Sequence, residues 1–562
     1  MRALALLALA TLGAFGCAAT PKKVAIPGHE GPPKVRALAE RCEKDDAEAC
    51  VVLGTLFLLE DTGVQRDLGK GTALLDRACK LGDQTGCGMY GLLGIAFPIG
   101  LDRDQARALV VRACEKVPII CVGWATLVLE GRFDGAADPA RGVKILARAC
   151  EHPEGGMACT TLGTFYSEGR YVTQDGPRAR ELYERACSLK DGKGCNYLGV
   201  LLEDGKDGKK DRKKAYALFE TACKLGVAWG CLNLGYVQRD ETGPNGKDDK
   251  AAFLSIAKAC DLGLPKACTQ LGYLLSGGYG VPADQAKAFQ HFSRACDGND
   301  GEGCLEKGTR LRKGLGTKVD KTAARKAYEK GCAQGDGVAC TWAAQLAEDG
   351  DGGPKDLSAA QDFDLRGCQL GTGEGCMSAG LRHLNGSGVK KDESRARALF
   401  DEGCTKGAAS ACRELGRAFQ QGLGGPKDPT KGLAMFEKAC AAGHALACVD
   451  VGVTHEDGVI VPRDVAKAAT LYDKGCEGGS GVGCRFLANL HWSGALGTED
   501  KARAVGLYKR GCDAGDGKAC HFYANALAGG QGVKLDPAGA AAAYRKACKA
   551  GVTEACGTGE ED

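Results

Sequence analysis

Residues 258–268 read K-A-C-D-L-G-L-P-K-A-C, with two cysteines eight positions apart on either side of Gly263 and Pro265. The arrangement recurs along the chain, because all but one of the 31 cysteines fall into pairs separated by seven to nine positions. The first cysteines of successive pairs, such as Cys260 and Cys296, lie 36 residues apart at most steps. A fixed period of this length predicts an array of structural repeats.

A capped helix is predicted before the first cysteine of each pair. From the second pair onward an aspartate stands twelve residues before that cysteine, as Asp211 does, and its carboxylate can accept from the free N–H groups of a first turn. In this helix, named helix B, apolar residues such as Ala215, Phe219 and Ala222 share one stripe. A glycine usually follows three residues after the cysteine and predicts the helix end.

A second helix, named helix A, is predicted to begin at the second cysteine. Leucine is frequent three residues later, and the next position is always Gly or Ala in the complete repeats, as in Leu162-Gly163. A small side chain there lets a neighbouring helix approach closely. An antiparallel helix pair cannot bury both of its faces alone, so successive pairs are predicted to stack into a solenoid. The formal net charge of +3 argues against a nucleic-acid binder.

The repeat pattern resembles a known family. A 36-residue helix pair with L-G, then G-x-G-V, then K-D-x-x-K-A resembles the Sel1-like repeat, a relative of the 34-residue tetratricopeptide repeat. The paired cysteines resemble the Helicobacter-type cysteine-rich branch of that family. The resemblance covers residues 34–556. It implies an all-α, right-handed α/α superhelical solenoid of about fourteen helix-pair repeats, and a periplasmic or secreted location.

The paired cysteines are predicted to form local disulfides. Structural zinc sites use closer cysteine pairs, and the C-x-x-C of redox motifs is absent, so no metal or cofactor is assigned. Local disulfides are the usual state of cysteines in exported proteins, and antiparallel packing of helices B and A would bring each pair together. The predicted disulfides join Cys42 with Cys50, Cys79 with Cys87, Cys114 with Cys121, Cys150 with Cys159, Cys187 with Cys195, Cys223 with Cys231, Cys260 with Cys268, Cys296 with Cys304, Cys332 with Cys340, Cys368 with Cys376, Cys404 with Cys412, Cys440 with Cys448, Cys476 with Cys484, Cys512 with Cys520, and Cys548 with Cys556.

The N-terminal residues indicate export. Residues 1–16 have the layout of a signal peptide, and Ala14-Phe15-Gly16-Cys17 resembles a bacterial lipobox, which predicts lipidation of Cys17. The alternative is ordinary cleavage with loss of Cys17. Residues 17–33 are then a flexible tether, residues 34–556 the solenoid and residues 557–562 a short acidic tail. In bacterial lipoproteins Asp after the cysteine favours the inner membrane, so Ala18 favours the outer membrane, with secretion as the alternative.

Partner binding is predicted on the concave face, lined by helix A. If helix A follows the tetratricopeptide register, the first and fifth residues after the second cysteine line that face. Aromatic, arginine and amide side chains at these positions suit protein or peptide recognition. The predicted partner-binding residues are Tyr236, Tyr273, Gln345, Arg413, Arg417, Arg485, Asn489 and Asn525. The alternative is a solvated groove without a ligand.

The function predicted from these features is a non-enzymatic envelope scaffold, held at the membrane by lipidated Cys17. The family resemblance implies a second possibility, a penicillin-binding protein or weak β-lactamase. Ser255-Ile-Ala-Lys258 and Ser387-Gly-Val-Lys390 match S-x-x-K, but the S-D-N and K-T-G motifs are missing, so no catalytic residue is assigned. A secreted host-interaction factor is a third possibility.

Overall fold

The computed structural model describes residues 32–59, 64–205 and 210–557, so the predicted signal peptide, Cys17 and nearly all of the tether and acidic tail lie outside it. The described residues form 29 α-helices and one 3-10 turn, Thr553–Ala555, and contain no strand. These residues contain no helix with the length and apolar character that a membrane crossing requires. The all-α prediction is confirmed.

The chain divides into two compact units, Met1–Ala283 and Asp284–Asp562. The helices of the first unit are α1 (Pro33–Glu43), α2 (Ala47–Leu58), α3 (Leu68–Lys80), α4 (Gln84–Ala96), α5 (Arg103–Cys114), α6 (Pro118–Leu129), α7 (Pro139–Glu151), α8 (Gly156–Glu168), α9 (Gly176–Ser188), α10 (Gly192–Asp204), α11 (Arg212–Lys224), α12 (Ala228–Arg239), α13 (Asp249–Asp261) and α14 (Pro265–Gly277).

The second unit continues the same alternation of helices. Its helices are α15 (Gln285–Asp297), α16 (Gly301–Lys313), α17 (Lys321–Ala333), α18 (Gly337–Asp349), α19 (Leu357–Gln369), α20 (Gly373–Asn385), α21 (Glu393–Thr405), α22 (Ala409–Gln421), α23 (Pro429–Ala441), α24 (Ala445–Asp457), α25 (Val465–Glu477), α26 (Gly481–Trp492), α27 (Lys501–Asp513), α28 (Gly517–Gly529) and α29 (Pro537–Lys549). Even-numbered helices are the A helices and odd-numbered helices the B helices. Within each unit, neighbouring A helices contact one another and form one layer, while the B helices form the other.

The predicted aspartate caps are confirmed for all fourteen B helices from α3 onward. Asp211, for example, accepts from the backbone N–H of Lys214 at 3.0 Å. A second set of caps was not predicted: several A helices begin at an aspartate four residues before the second cysteine, as at Asp336, which accepts from Ala339 N–H at 2.7 Å. Each such cap contributes about 1 kcal/mol.

In many repeats the small residue of helix A receives an aromatic ring from the helix B that follows. A Cβ on Gly199 would lie 2.6 Å from the ring of Phe219, and a Cβ on Gly452 would lie 2.6 Å from the ring of Tyr472. Both rings are fully buried or nearly so. The predicted close approach is therefore specific: glycine in helix A makes room for the aromatic side chain four residues before the next cysteine.

All fifteen predicted disulfides form, with Cα–Cα distances between 4.3 Å and 4.9 Å. In the joint between α13 and α14, Gly263 has a φ of 86°, which ends α13, and Pro265 is the first residue of α14. In the chain-entropy model a disulfide closing a loop this short contributes about 2.5 kcal/mol. The disulfide-stabilised solenoid is confirmed.

Candidate functional site

A groove runs over the A helices of the first unit. Helices α4, α6, α8 and α10 enclose a cavity of about 240 Å³. We name it the threonine groove. Its uncharged lining residues are Leu92, Ala96, Val122, Gly123, Thr126, Leu127, Met157, Thr160, Thr161, Thr164, Phe165 and Tyr197. Its charged lining residues stand at or just beyond helix termini: Glu130 and Arg132 follow α6, Arg170 follows α8, and Asp191 and Lys193 lie at the start of α10. The lining is therefore mostly apolar, with four threonine hydroxyls and a few charged groups from helix termini.

Three of the four threonine hydroxyls donate to their own helices. The Oγ1 atoms of Thr126, Thr161 and Thr164 donate to the carbonyl oxygens four residues earlier, at 2.9 Å, 2.8 Å and 3.0 Å. A hydroxyl has one proton and two lone pairs, so these groups have only acceptor capacity left. Thr164 also accepts from the hydroxyl of Tyr183 at 3.3 Å, which leaves it one lone pair.

Thr160 differs from the other three threonines. Its side chain is 6 % exposed, and its hydroxyl has no hydrogen-bond partner among the described residues. The hydroxyl lies against Gly194 of α10, because a Cβ built on that glycine would meet Thr160 Oγ1 at 2.9 Å. A buried hydroxyl without a partner costs about 1–3 kcal/mol, and native proteins contain few such groups.

The residue facing Thr160 on the next A helix explains why its hydroxyl is unpaired. In two other repeats the first residue after the second cysteine bonds to the second residue after the equivalent cysteine of the next repeat: Asn233 Nδ2 donates to Asn196 Oδ1 at 2.9 Å, and Arg413 Nε donates to Asp450 Oδ2 at 2.6 Å. For Thr160 that position is Tyr197, whose ring packs 5.5 Å from the ring of Tyr183.

Two of the cations that line the groove form exposed ion pairs, and Arg132 also donates to the Ala96 carbonyl oxygen at 3.4 Å. Arg132 lies 3.3 Å from Glu130, and Arg170 lies 3.3 Å from Glu168 while its guanidinium stands 5.2 Å from the ring centre of Phe165. Exposed pairs contribute little stability, so a ligand can displace them at small cost.

A second cavity, of about 250 Å³, is lined by residues of α10, α11 and α12 and by Asp240, which follows α12. Tyr236, predicted to bind a partner, lines it together with Val200 and Asp240. Arg212 donates to Asp240 at 2.5 Å and to Glu203 at 2.8 Å, and the hydrogen bond from Arg212 lowers the pKa of Asp240 to about 2. The charges of this cavity are therefore largely paired with one another.

The other predicted partner-binding residues are not gathered at one place. In the second unit Arg413 pairs with Asp450, Arg485 pairs with Asp516 at 3.0 Å, and Asn489 accepts from the Tyr508 hydroxyl at 2.8 Å. These are contacts between neighbouring helices. The remaining residues are surface or half-buried: Tyr273, Gln345, Arg417, and Asn525, which accepts from the Tyr544 hydroxyl at 2.6 Å. Their role in partner binding stays a prediction.

The repeat positions predicted to line the concave face also include residues of the threonine groove. The first and fifth residues after Cys121 are Val122 and Thr126, and those after Cys159 are Thr160 and Thr164. None of the four carries an aromatic, arginine or amide side chain, which are the residue types that predict partner recognition at these positions. The signal that identifies them is the missing polar residue opposite Thr160, which becomes visible when neighbouring repeats are aligned.

Residues considered for catalysis or metal binding have other roles. The hydroxyl of Ser255 donates to Gln238 Oε1 at 2.8 Å within the first unit. A grouping of potential metal ligands among the described residues, formed by Cys368, Cys376 and Glu402, includes a disulfide, whose sulfur atoms are not thiolate ligands.

Comparison with known proteins identifies the repeat. The family model described as the Sel1 repeat matches residues 47–83, 156–191, 192–227, 265–300, 308–336, 373–407, 409–444, 445–480, 481–516 and 517–552. A similar solved structure is c5321, "a protective antigen present in uropathogenic Escherichia coli strains displaying an SLR fold", with 26 % identity, a TM-score of 0.53, and coverage of 67 % of this chain and 80 % of that chain.

Two further solved structures are similar over shorter parts of the chain. A Sel1 repeat protein from Oxalobacter formigenes is 24 % identical, with a TM-score of 0.44 and coverage of 55 % of this chain and 89 % of that chain. Helicobacter pylori cysteine rich protein B is 34 % identical, with a TM-score of 0.20 and coverage of 24 % of this chain and 97 % of that chain. The comparison with curated protein sequences found no match. Ten matched repeats cover more than half of the residues, and the chain belongs to the Sel1 repeat family.

Proposed function

We propose that this protein is a non-enzymatic scaffold that binds a protein partner through the threonine groove, on the A-helix face that the repeat pattern predicts to be concave. Sel1 repeats typically mediate protein–protein interaction. The observation that carries the proposal is the buried, unpaired hydroxyl of Thr160 beside an apolar cavity. A groove of this kind supplies apolar contact area together with a few polar groups that orient a ligand.

The test of the groove is capture of partners from an envelope extract under non-reducing conditions. Thr126→Arg places a long cation inside the groove, so we expect captured partners to be lost. Gln345→Arg is the matched control, because Gln345 occupies the same repeat position as Thr126 but lies exposed in the second unit. Loss of the partners with Gln345→Arg and not with Thr126→Arg would place binding in the second unit and contradict the proposal.

We further propose that the scaffold acts at the cell envelope as a lipoprotein of the outer membrane, facing the periplasm or the surface. Fifteen disulfides are typical of proteins that fold outside the cytoplasm. Since the other 30 cysteines are paired, Cys17 is the odd one of 31, and a thioether-linked lipid accounts for it. We expect a palmitate analogue to label the wild-type chain and not Cys17→Ser. Recovery of unlabelled chain from the culture medium would favour the secreted host-interaction factor.

The enzymatic alternative has its own measurement. Hydrolysis of nitrocefin by the purified oxidised protein, abolished by Ser255→Ala, would contradict a non-enzymatic scaffold. Because the Ser255 hydroxyl is engaged with Gln238, we expect no turnover above that of the Ser255→Ala variant.

A further inference from the structure

We propose that the occupant of the threonine groove is an extended peptide segment lying along α8, with main-chain N–H groups two residues apart donating to the hydroxyls of Thr160 and Thr164. This inference rests on the proposed function and names the chemistry that the groove recognises.

The spacing of the hydroxyls matches an extended chain. Thr160 and Thr164 both line the groove and are four residues apart on α8, which corresponds to about 6 Å along the helix axis. In an extended chain, N–H groups on the same side recur every second residue, at about 6.6 Å. The 13 residues of α8 extend about 20 Å, which is the length of about six extended residues.

The threonine hydroxyls of the groove act as acceptors, so they favour a ligand that donates hydrogen bonds. Thr126, Thr161 and Thr164 have already donated their protons to α6 or α8, so these hydroxyls present lone pairs and negative partial charge. Peptide N–H groups complement that charge. The cations Arg132 and Arg170 follow the C-terminal ends of α6 and α8, and Lys193 lies in the first turn of α10, so none of them belongs to the helical segments that carry the threonines.

Thr160 can turn its hydroxyl into the groove without losing a hydrogen bond. Its Oγ1 is now buried against Gly194 without a partner. Threonine populates two χ1 rotamers in helices, and rotation exchanges the positions of the hydroxyl and the methyl group. The hydroxyl of Thr164 is held by its donation to the Thr160 carbonyl at 3.0 Å. The hydroxyl of Thr164 is therefore held in place, whereas that of Thr160 can change its orientation.

The walls favour a peptide over a saccharide. Leu92, Val122 and Met157 are aliphatic contributions from three different helices. Alternate side chains of an extended peptide project to the same side and can pack against such walls. A sugar is typically held by paired donors and acceptors, whereas the hydroxyls of Thr126, Thr161 and Thr164 have only acceptor capacity left.

The experiment uses the oxidised full chain and a bead library of N-acetylated, C-amidated hexapeptides as the probe. The tightest binder is resynthesised with a single N-methyl group at each position in turn. We expect two positions, two residues apart, at which N-methylation weakens binding at least tenfold, and small effects elsewhere. Thr160→Val should weaken the unmodified peptide about fivefold, the effect of one hydrogen bond, and should cancel one of the two N-methyl effects.

The stability of the same variant separates a binding role from a structural one. Valine has the shape of threonine but removes the unpaired hydroxyl, so we expect Thr160→Val to raise the Tm while weakening the peptide. Thr269→Val is the matched control: Thr269 holds the same position after Cys268, is buried, and does not line the groove. It should leave peptide affinity unchanged.

Each other outcome overturns the inference. Equal effects of all N-methyl groups, unchanged affinity in Thr160→Val, absence of any hexapeptide binder, or displacement of the peptide by cell-wall saccharide fragments would contradict it. If Thr126→Arg still abolishes partner capture in those cases, the groove remains the binding site and only the proposed recognition of the peptide backbone is wrong. If capture is also insensitive to Thr126→Arg, the proposed function itself fails.

Discussion

The A helices of the two units use the same repeat positions in different ways. In the first unit, the position directly after the second cysteine holds Val122 and Thr160 beside an open groove, whereas in the second unit it holds Arg413 and Arg485, which pair with acidic residues of the neighbouring repeat. The first arrangement leaves a hydroxyl without a partner; the second joins neighbouring helices by ion pairs. Repeat register alone therefore does not identify a binding surface, because the neighbouring repeat decides whether a side chain is available.

A similar contrast lies in the layer between the helices. In the first unit the aromatic Phe219 is buried against small and apolar residues of the A helices. In the second unit the equivalent position, four residues before Cys368, is Asp364, which is 2 % exposed and accepts from Arg382 Nε at 2.8 Å. Arg382 also donates to Glu348 at 2.8 Å. The second unit thus contains a buried ion pair where the other repeats place an aromatic or aliphatic side chain.

The largest expected effect comes from breaking this buried pair. Arg382→Leu leaves the carboxyl group of Asp364 buried without its partner, and such losses cost about 3–5 kcal/mol. We expect a correspondingly lower midpoint of guanidinium unfolding. Asp364→Phe is the control. It reproduces the arrangement of another repeat, in which the guanidinium of Arg310, at the position of Arg382, lies 4.6 Å from the Phe292 ring centre. We therefore expect it to change the midpoint little. A small effect of Arg382→Leu would contradict this contrast.

The pH dependence of the same pair is the next largest effect. Burial raises the pKa of Asp364 to about 6 from its ordinary 3.8. The folded state therefore binds this proton more tightly, and the stability from this group is fully present below pH 3.8 and lost as the pH rises through 6. The loss amounts to about 3 kcal/mol. The free energy of unfolding of Asp364→Asn should lack this pH dependence. The measurement is the difference between the unfolding free energies of the wild-type chain and the variant, followed from pH 4 to pH 7. Parallel curves would contradict it.

Transplanting the polar pairing of other repeats into the groove has an intermediate effect. Tyr197→Asn places an amide opposite Thr160, as Asn233 stands opposite Asn196. The amide should satisfy the hydroxyl and weaken hexapeptide binding about fivefold. The Tm should change little, because the hydrogen bond of about 1 kcal/mol is offset by loss of the Tyr183–Tyr197 ring contact. Unchanged affinity would show that Thr160 is not part of the binding surface.

The smallest effects separate the arginines of α22. Arg413 is half-buried and bonds to Asp450 across the helix interface, whereas Arg417 is exposed and pairs with Glu414 of its own helix at 3.1 Å. We expect Arg413→Met to lower the free energy of unfolding by about 1 kcal/mol and Arg417→Met by less than about 0.5 kcal/mol. Equal losses of unfolding free energy in the two variants would contradict the distinction between pairing across helices and pairing on the surface.

Local features were predictable from the sequence, and relations between repeats were harder to predict. The caps at Asp211 and its equivalents, the helix end at Gly263 and the disulfides depend on residues within about ten positions of one another, so a short pattern determines them. The groove depends on Tyr197 standing opposite Thr160, 37 positions apart in the sequence. Asp364 in the aromatic slot was visible in the pattern, but its partner Arg382 emerged only from the packing of α19 against α20.

The locality of the disulfides has a consequence for biogenesis. Each bond joins cysteines seven to nine positions apart, and none of the fifteen crosses from one joint to another. Loop closure favours the nearest cysteine, so the native partner is also the one encountered first. A chain that enters an oxidising compartment from its N-terminus can therefore oxidise each joint as it emerges, without waiting for the rest of the molecule. Oxidation of the thirty cysteines, which could otherwise give many non-native pairings, is thereby divided into independent reactions of two cysteines each.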